Sequence, residues 1–231
     1  KGLIYKGRRT SLFSTDFSTP VSDFEVSMDS DNYQDTEDIA VTAKFRLNPE
    51  SQLKLGRFLN TNKQIYLLAW TTTPWTLPSN FALAVKPDTE YVAIEQENNV
   101  YILAKARLEP IQEGETTQYS VLKELDSKEL VGLGYEQLFK YLETNENDLK
   151  VYASDYVTTE DGTGILHVAP AFGEADSKMG EEWNLSFNPD IDDLGNMTIE
   201  QWEGIYIREA NPLIVEELKK QDKLFKKEIY V

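Results

Sequence analysis

Along DIAVTAKFRL (38–47) the apolar residues Ile39, Val41, Ala43, Phe45 and Leu47 fall on one side of an extended chain. That alternation predicts a half-buried strand. QIYLLAW (64–70) is almost continuously apolar and predicts a central strand. YVAIEQ (91–96) and VYILAKA (100–106) predict a hairpin with Asn98-Asn99 in its turn. KVYASDYV (150–157) and TGILHVA (163–169) are two more strand-like runs on either side of TTEDG, a turn signal. Helical patterning is rarer. GEADSKMGEEW (173–183) predicts a helix with acidic residues in the first turn, where the helix dipole favours them. NPLIVEELKKQDKLF (211–225) predicts the clearest helix, with Asn211 as cap, Pro212 at its first position and Ile214, Val215 and Leu218 on its apolar face. The balance predicts an α+β fold: a strand-rich, barrel-like mixed sheet core with peripheral helices. Segments 1–25 and 205–231 read as connecting ribbons, the second carrying the final helix. Acidic PDIDDLGN and then IEQWEGIYI mark a loop leading into it.

At 231 residues the chain suits one large domain, and 40% hydrophobic content suffices for a core. No apolar run reaches the roughly 18–20 residues of a membrane span, so a soluble protein is expected. The chain begins KGLIYKGRR, with neither an initiator Met nor an apolar stretch and cleavage site. The expectation is a non-secreted piece of a longer protein. Absence of cysteine excludes disulfides, thiolate nucleophiles and thiolate metal sites. A single histidine, His167, makes histidine-rich zinc catalysis a poor fit. Forty acidic residues against 23 basic ones give a net charge of −17, which speaks against a broad nucleic-acid footprint but not against binding one nucleotide end in a pocket.

Two stretches carry candidate chemistry. WTTTPWTLPSN (70–80) holds four threonines, two tryptophans and two prolines, with no charge. Pro74 and Pro78 stiffen the backbone and take it out of the sheet. Threonine hydroxyls donate and accept while their methyls stay apolar, so such a wall can bind polar ligand atoms and shape an apolar pocket. The plainer reading is a strand end facing solvent. GTGILHVAPAFGEAD (162–176) places Gly162 and Gly164 where backbone can approach closely, and His167 on an apolar strand before Pro170. A lone histidine there is most often a satisfied core residue, and Asp176 alone is a common first-turn carboxylate.

Together and in this order, the two stretches resemble the editing insertion, connective polypeptide 1, of the isoleucyl-tRNA synthetases, which are class I aminoacyl-tRNA synthetases. The family's threonine-rich peptide is close to WTTTPWTLPSN. Its second motif is close to GTGIVHxAPAFGxxD, with His167 and Asp176 at the family's spacing. GLIYKG, STPVSDFEV and GIYIREANPLIVEELKKQDKLF resemble the family's segments leading into and out of the insertion, so the resemblance covers nearly the whole chain. Related valyl and leucyl enzymes have Thr-Thr-Arg-Pro. Thr73 followed by Pro74-Trp75 favours the isoleucyl type. The approach ribbon FSTDFSTP departs from the family's cysteine-bearing versions, and Ala175 and Ser177 flank Asp176 where an acidic residue and a tyrosine are usual. His-x-Gly-His and Lys-Met-Ser-Lys-Ser, the signatures of amino-acid activation, are absent.

The resemblance implies a single editing domain over 1–231 that hydrolyses valine mischarged onto tRNA for isoleucine. It implies that Asp176 pairs with the substrate's α-ammonium. Trp70, Thr71, Thr76 and His167 line the side-chain pocket, and Thr72 and Thr73 position the terminal adenosine or the attacking water. Phe172 and Trp75 pack against the substrate, and Asn80 orders the peptide. Thr72, Thr73, His167 and Asp176 are thus the candidate catalytic set, with no metal. No cofactor is expected in this fragment, since ATP and Mg belong to the full-length enzyme's synthetic site. The expected partners are the 3′ end of mischarged tRNA(Ile) and the rest of the synthetase. A cytoplasmic monomer with no membrane contact is expected. Two other readings stand beside it: an editing domain or free-standing deacylase for another amino acid, and an acidic module that only binds.

Overall fold

The computed structural model describes residues 4, 10–28, 35–112 and 119–230. Its elements begin with β1 (Leu12–Ser14), β2 (Thr19–Val21), α1 (Asp23–Ser27), β3 (Asp38–Arg46), α2 (Pro49–Leu59) and β4 (Gln64–Thr71). A 3-10 turn over Pro74–Ser79 leads to β5 (Ala82–Val85), β6 (Glu90–Gln96), β7 (Asn99–Ala104), α3 (Leu108–Gln112), β8 (Ser120–Asp126) and α4 (Ser127–Leu130). The chain finishes with β9 (Lys150–Ala153), β10 (Ile165–Val168), α5 (Glu174–Glu182), α6 (Ile207–Lys220) and β11 (Leu224–Tyr230). Of the approach ribbon at 1–25, residues 1–3 and 5–9 lie outside the described residues.

Six strands form the main sheet in the order β11-β3-β4-β7-β6-β8, antiparallel except where β4 meets β7. A second sheet has the order β10-β5-β9, and β1 pairs with β2. The α+β class with a mixed sheet and peripheral helices is as expected. The barrel is not: β11 and β8 are free edges, and no sheet closes among the described residues.

The largest apolar cluster lies between one face of the main sheet (Val41, Phe45, Leu67), α2 (Leu55, Leu59), α6 (Ile214, Leu218) and the small sheet (Leu83, Val85, Ile165). A second cluster joins the outer face of the small sheet to Met179 of α5. A third covers the far face of the main sheet around Leu68, Ile94 and Leu103. For that reason β3 is buried on both faces rather than one, with Thr42 4% and Lys44 6% exposed. Lys44 survives there because its ammonium meets Asp222 at 2.7 Å and lies over the Tyr66 ring.

Other differences have local causes. The hairpin turn is Glu97-Asn98, since Gln96 pairs with Asn99, and Glu97 takes the positive φ of 52°. Helix α6 starts at Ile207, so Asn211 is not its cap and Pro212 is not its first residue. It stops at Lys220 because 224–230 is drawn into pairing with β3. Runs 150–157 and 163–169 do form strands, yet β5 lies between them. Helix α2 was not expected. Asn48 caps it, Pro49 is its first residue, and Asn60 ends it with left-handed backbone (φ 54°).

This layout places the threonine-rich peptide. It leaves the main sheet at Thr71 and crosses, as the 3-10 turn, to β5 in the small sheet. β5 runs antiparallel to β10, with Leu83 opposite His167.

Candidate active site

Within the 3-10 turn the threonines bind one another. Thr71 Oγ1 lies 3.1 Å from Thr73 Oγ1 and accepts from Thr73 N–H at 3.1 Å. Thr73 Oγ1 lies 3.3 Å from Thr76 Oγ1, and Thr76 Oγ1 donates to the Thr73 carbonyl at 2.8 Å. The prolines and these bonds fix the turn, and only Thr73 of residues 71–80 is exposed, so the plainer reading of a strand end facing solvent does not describe it. Thr71 and Thr76 are buried, Thr72 is half-buried and Thr73 is exposed.

His167 reaches this wall from β10. Its Nε2 is 3.1 Å from Thr76 Oγ1, and its Nδ1 is 2.7 Å from Asn80 Nδ2. Both ring nitrogens are therefore held by protein, and the ring is only 6% exposed. Burial pushes its pKa down to about 4, with contact from Thr76 acting weakly the other way. Asn80 is itself held: Nδ2 donates to the Ala82 carbonyl at 2.9 Å, and Oδ1 accepts from Tyr135 O–H at 2.6 Å.

The two stretches meet again through aromatic rings. Trp75 and Phe172 pack edge-to-face with centroids 4.8 Å apart, and Trp75 N–H donates to Asn211 Oδ1 at 2.9 Å. Trp70 N–H donates to Glu228 Oε1 at 2.8 Å. Gly162, at φ 65°, sits so close beneath Trp70 that a Cβ there would lie 3.0 Å from the indole. Trp70, Thr71 and Thr72 form one wall of a cleft of about 250 Å³, and 156–158 and 161–166 form the other.

Asp176 is the third residue of α5. One carboxylate oxygen accepts from Ala169 N–H at 2.8 Å, which ties it to the β10 exit. Gly173 makes room for it, since a Cβ there would stand 2.5 Å from its Oδ2. Burial raises its pKa, opposed only by N–H donors. Among the described residues no ion pair includes it. Gly173 and Phe172 also border a wide opening between α5 and the β1–β2–α1 segment.

Thus Thr71, Thr73, Thr76, Asn80 and His167 form one hydrogen-bonded cluster, and Trp75 with Phe172 forms its aromatic flank. Trp70 and Thr72 line the adjoining cleft. Asp176 stands in the first turn of α5, bonded back to the β10 exit. Sequence reasoning missed Tyr135, Asn211 and the buried pair in which Ser79 donates to Asp190 at 2.5 Å. These partners lie 55 to 136 residues from the peptide they hold, and no local pattern points to them. Among the described residues no group of His, Asp and Glu side chains can hold a metal ion.

No family model matches the chain. Isoleucine–tRNA ligase of Clostridium novyi (strain NT) is 40% identical over 230 residues, which is 99% of this chain and 20% of that protein. The Mycobacterium tuberculosis (strain ATCC 25618 / H37Rv) ligase is 39% identical over 223 residues, 96% of this chain and 21% of that one. The chain therefore spans about a fifth of the length of the curated relatives it matches. In fold it is similar to the crystal structure of GlLeuRS-CP1 (TM-score 0.68, 14% identical, covering 82% of this chain and 98% of that one). It is also similar to the editing domain of the Plasmodium falciparum cytosolic leucyl-tRNA synthetase (TM-score 0.63, 12% identical, covering 85% and 100%). The chain is homologous over almost its whole length to a one-fifth segment of the isoleucine–tRNA ligases, and it has the fold of synthetase editing domains.

Proposed function

We propose that this chain is a hydrolytic editing domain that removes valine from tRNA for isoleucine. Valine differs from isoleucine by one methylene, and a synthetic pocket that fits isoleucine cannot exclude it. One methylene is worth only about 1–3 kcal/mol, a range for which isoleucyl-tRNA synthetase is itself the standard example. A second, smaller pocket with hydrolytic power supplies the missing discrimination.

The observation that carries the proposal is a neutral, interlocked hydroxyl wall that contains His167 of β10, with half-buried Asp176, bonded to the β10 exit through Ala169 N–H and without a cation partner among the described residues, beside it in the sequence. The substrate's α-ammonium fits that role, since a charge-assisted bond is stronger than a neutral one. Thr76, His167, Trp70 and Thr71 form a rigid surface against which a valyl side chain packs and an added methylene overpacks. Thr72 and Thr73, the more exposed hydroxyls, position the adenosine end or the water. Trp75 and Phe172 close the flank. An ester has a better leaving group than an amide, so positioning and hydrogen bonding to the developing oxyanion carry the reaction, with no metal or cofactor in this domain. ATP and Mg act in the synthetic site elsewhere in the ligase. The tRNA 3′ end and the rest of the synthetase are the partners, in the cytoplasm. Among the described residues no helix is long and apolar enough to cross a membrane.

The test is deacylation of valyl-, threonyl- and isoleucyl-tRNA(Ile) by the ligase. Fast release of valine with isoleucine retained is expected. Preference for threonine, or no release at all, overturns the reading.

A further inference from the structure

We infer that Asn80, locked by the Ala82 carbonyl and Tyr135, fixes the proton of His167 on Nε2, making the imidazole a permanent donor to Thr76 and removing it as a base. Asn80 and Tyr135 are then positioning residues for the threonine wall. The functional part of this inference rests on the editing reading. The proton assignment does not.

Two independent chains of donors and acceptors lead to the same tautomer. The first starts at the Ala82 carbonyl, which can only accept. The Asn80 atom 2.9 Å from it must therefore be the amide nitrogen. That nitrogen has a second N–H, which points to His167 Nδ1 at 2.7 Å. An N–H facing Nδ1 requires a lone pair there, so Nδ1 carries no proton. The remaining amide atom, Oδ1, is an acceptor and receives the Tyr135 hydroxyl at 2.6 Å. Tyr135 is buried at 2% exposure, and burial keeps its pKa raised well above the ordinary range, so it stays a donor.

The second chain starts at Thr76. Its hydroxyl has one proton, donated to the Thr73 carbonyl at 2.8 Å. Toward His167 Nε2, at 3.1 Å, it can only accept. Nε2 must therefore carry the proton. A neutral imidazole has one N–H, and both chains place it on Nε2. Burial, which lowers the ring's basicity, supports the neutral form.

The consequence is directional. With its own proton on the Thr73 carbonyl, Thr76 Oγ1 accepts from both Nε2–H and Thr73 Oγ1, so Thr73 Oγ1 in turn accepts from Thr71 Oγ1 and the sense of the chain is fixed. The imidazole's one free lone pair, on Nδ1, is taken by the Asn80 amide, so proton removal from the attacking water does not pass through His167.

The single histidine makes this measurable. Matching chains of this fold were solved as separate editing domains, with 98–100% of their length in the match, so the domain is a folding unit. In the ¹⁵N-histidine spectrum of this chain, one imidazole is expected, with Nε2 protonated and Nδ1 bare. A protonated Nδ1 overturns the inference. Thr76→Val removes the acceptor at Nε2 but leaves Asn80 in place, and the tautomer should persist. A switch to Nδ1–H in that variant shows that Thr76 sets the proton and overturns the role of Asn80. Asn80→Asp places an acceptor at Nδ1 and should move the proton there or charge the ring. An unchanged spectrum in a folded Asn80→Asp variant also overturns it. If that variant does not fold, Thr76→Val decides alone. In the ligase, Tyr135→Phe should erode the ratio of valyl to isoleucyl ester hydrolysis about fivefold, the scale of one lost buried hydrogen bond. An unchanged ratio removes Tyr135 from the positioning role. Loss of all valyl hydrolysis in the wild-type ligase instead defeats the editing reading and leaves the spectrum standing.

Discussion

β3 and β4 pair along their length, from Val41 opposite Thr71 at one end to Arg46 opposite Tyr66 at the other, and the two ends handle buried polarity in opposite ways. At the Tyr66 end the solution is charge. Lys44 is 6% exposed and meets Asp222, which is 82% exposed. Arg46 faces Glu136, and Lys223 donates to the Leu138 carbonyl and Gln221. At the Thr71 end the solution is neutral: hydroxyls, an amide, an imidazole and a phenol, each one's donor spent on the next one's acceptor. Burying a charge demands a partner in good geometry, and that partner then competes with any charged ligand. A neutral network buries more cheaply, and the carboxylates bonded beside it, Asp190 to Ser79 and Glu228 to Trp70, take neutral donors from it. Under the proposed function this difference lets Asp176, which has no ion-pair partner among the described residues, take the substrate's ammonium, a role the charged end is not built for.

The sharpest way to break the comparison is Asp176→Asn. The amide oxygen still accepts from Ala169 N–H, so α5 and the loop stay in place while the charge goes. Valyl-tRNA hydrolysis by the ligase should fall about 10- to 100-fold, the scale of a charge-assisted contact. Deacylation at the wild-type rate by a folded variant removes Asp176 from the site.

The second test uses acid. His167 has a folded pKa of about 4, below the ordinary value of 6.5. Between these values the unfolded chain binds the proton and the folded one does not. The stabilising contribution is therefore complete above pH 6.5 and is lost as pH falls toward 4, to a total of roughly 3 kcal/mol. Asp176 and Asp190, raised by burial, act in the opposite sense, gaining stability on acidification. Comparing the chain with His167→Gln, which cannot titrate, isolates the histidine. Equal slopes of unfolding free energy against pH for the two proteins would refute the buried neutral ring.

How much of this was legible beforehand follows from how local each signal is. β3, β4 and the 91–104 hairpin announce themselves through alternation or continuous apolar runs. The wall and the His167–Asp176 stretch could be singled out because each lies within about fifteen residues. β5 was not legible, since ALAV is short, wholly apolar and buried on both faces. Asn211-Pro212 has the look of a helix start, but its side chain is engaged 136 residues away by Trp75 N–H, and the helix begins one turn earlier. Helix α2 carries its start and stop signals in Asn48-Pro49 and Asn60, but with few apolar positions its helical period is weak in the sequence. Tyr135 could not be read at all, because only the folded chain brings it to Asn80.

A third test concerns specificity. His167→Ala opens space behind the wall and leaves Asn80 and Thr76 each short of a partner. The ligase variant should begin to hydrolyse isoleucyl-tRNA, raising the isoleucyl-to-valyl ratio about tenfold, within the reach of one methylene. A fall in both rates in step with Tm would instead mean that the ring only fills the core.

The smallest effects belong to the charged end, and they should be asymmetric. Lys44→Met replaces a buried cation with a chain of similar length beneath the Tyr66 ring. It strands nothing, because Asp222 is 82% exposed and keeps its water. The change in unfolding free energy should stay within about 1 kcal/mol in either direction. Asp222→Asn preserves a residue type that accepts the positive φ of 53° at this position, yet leaves the Lys44 ammonium buried against a neutral amide. That variant should lose about 1–2 kcal/mol, since removing the counter-charge leaves the buried partner uncompensated. Valyl-tRNA hydrolysis should be unchanged in both, because neither touches the threonine wall. If Lys44→Met were the more damaging of the two, or if either slowed hydrolysis, the two ends of β3 and β4 would be coupled and the division between them would fail.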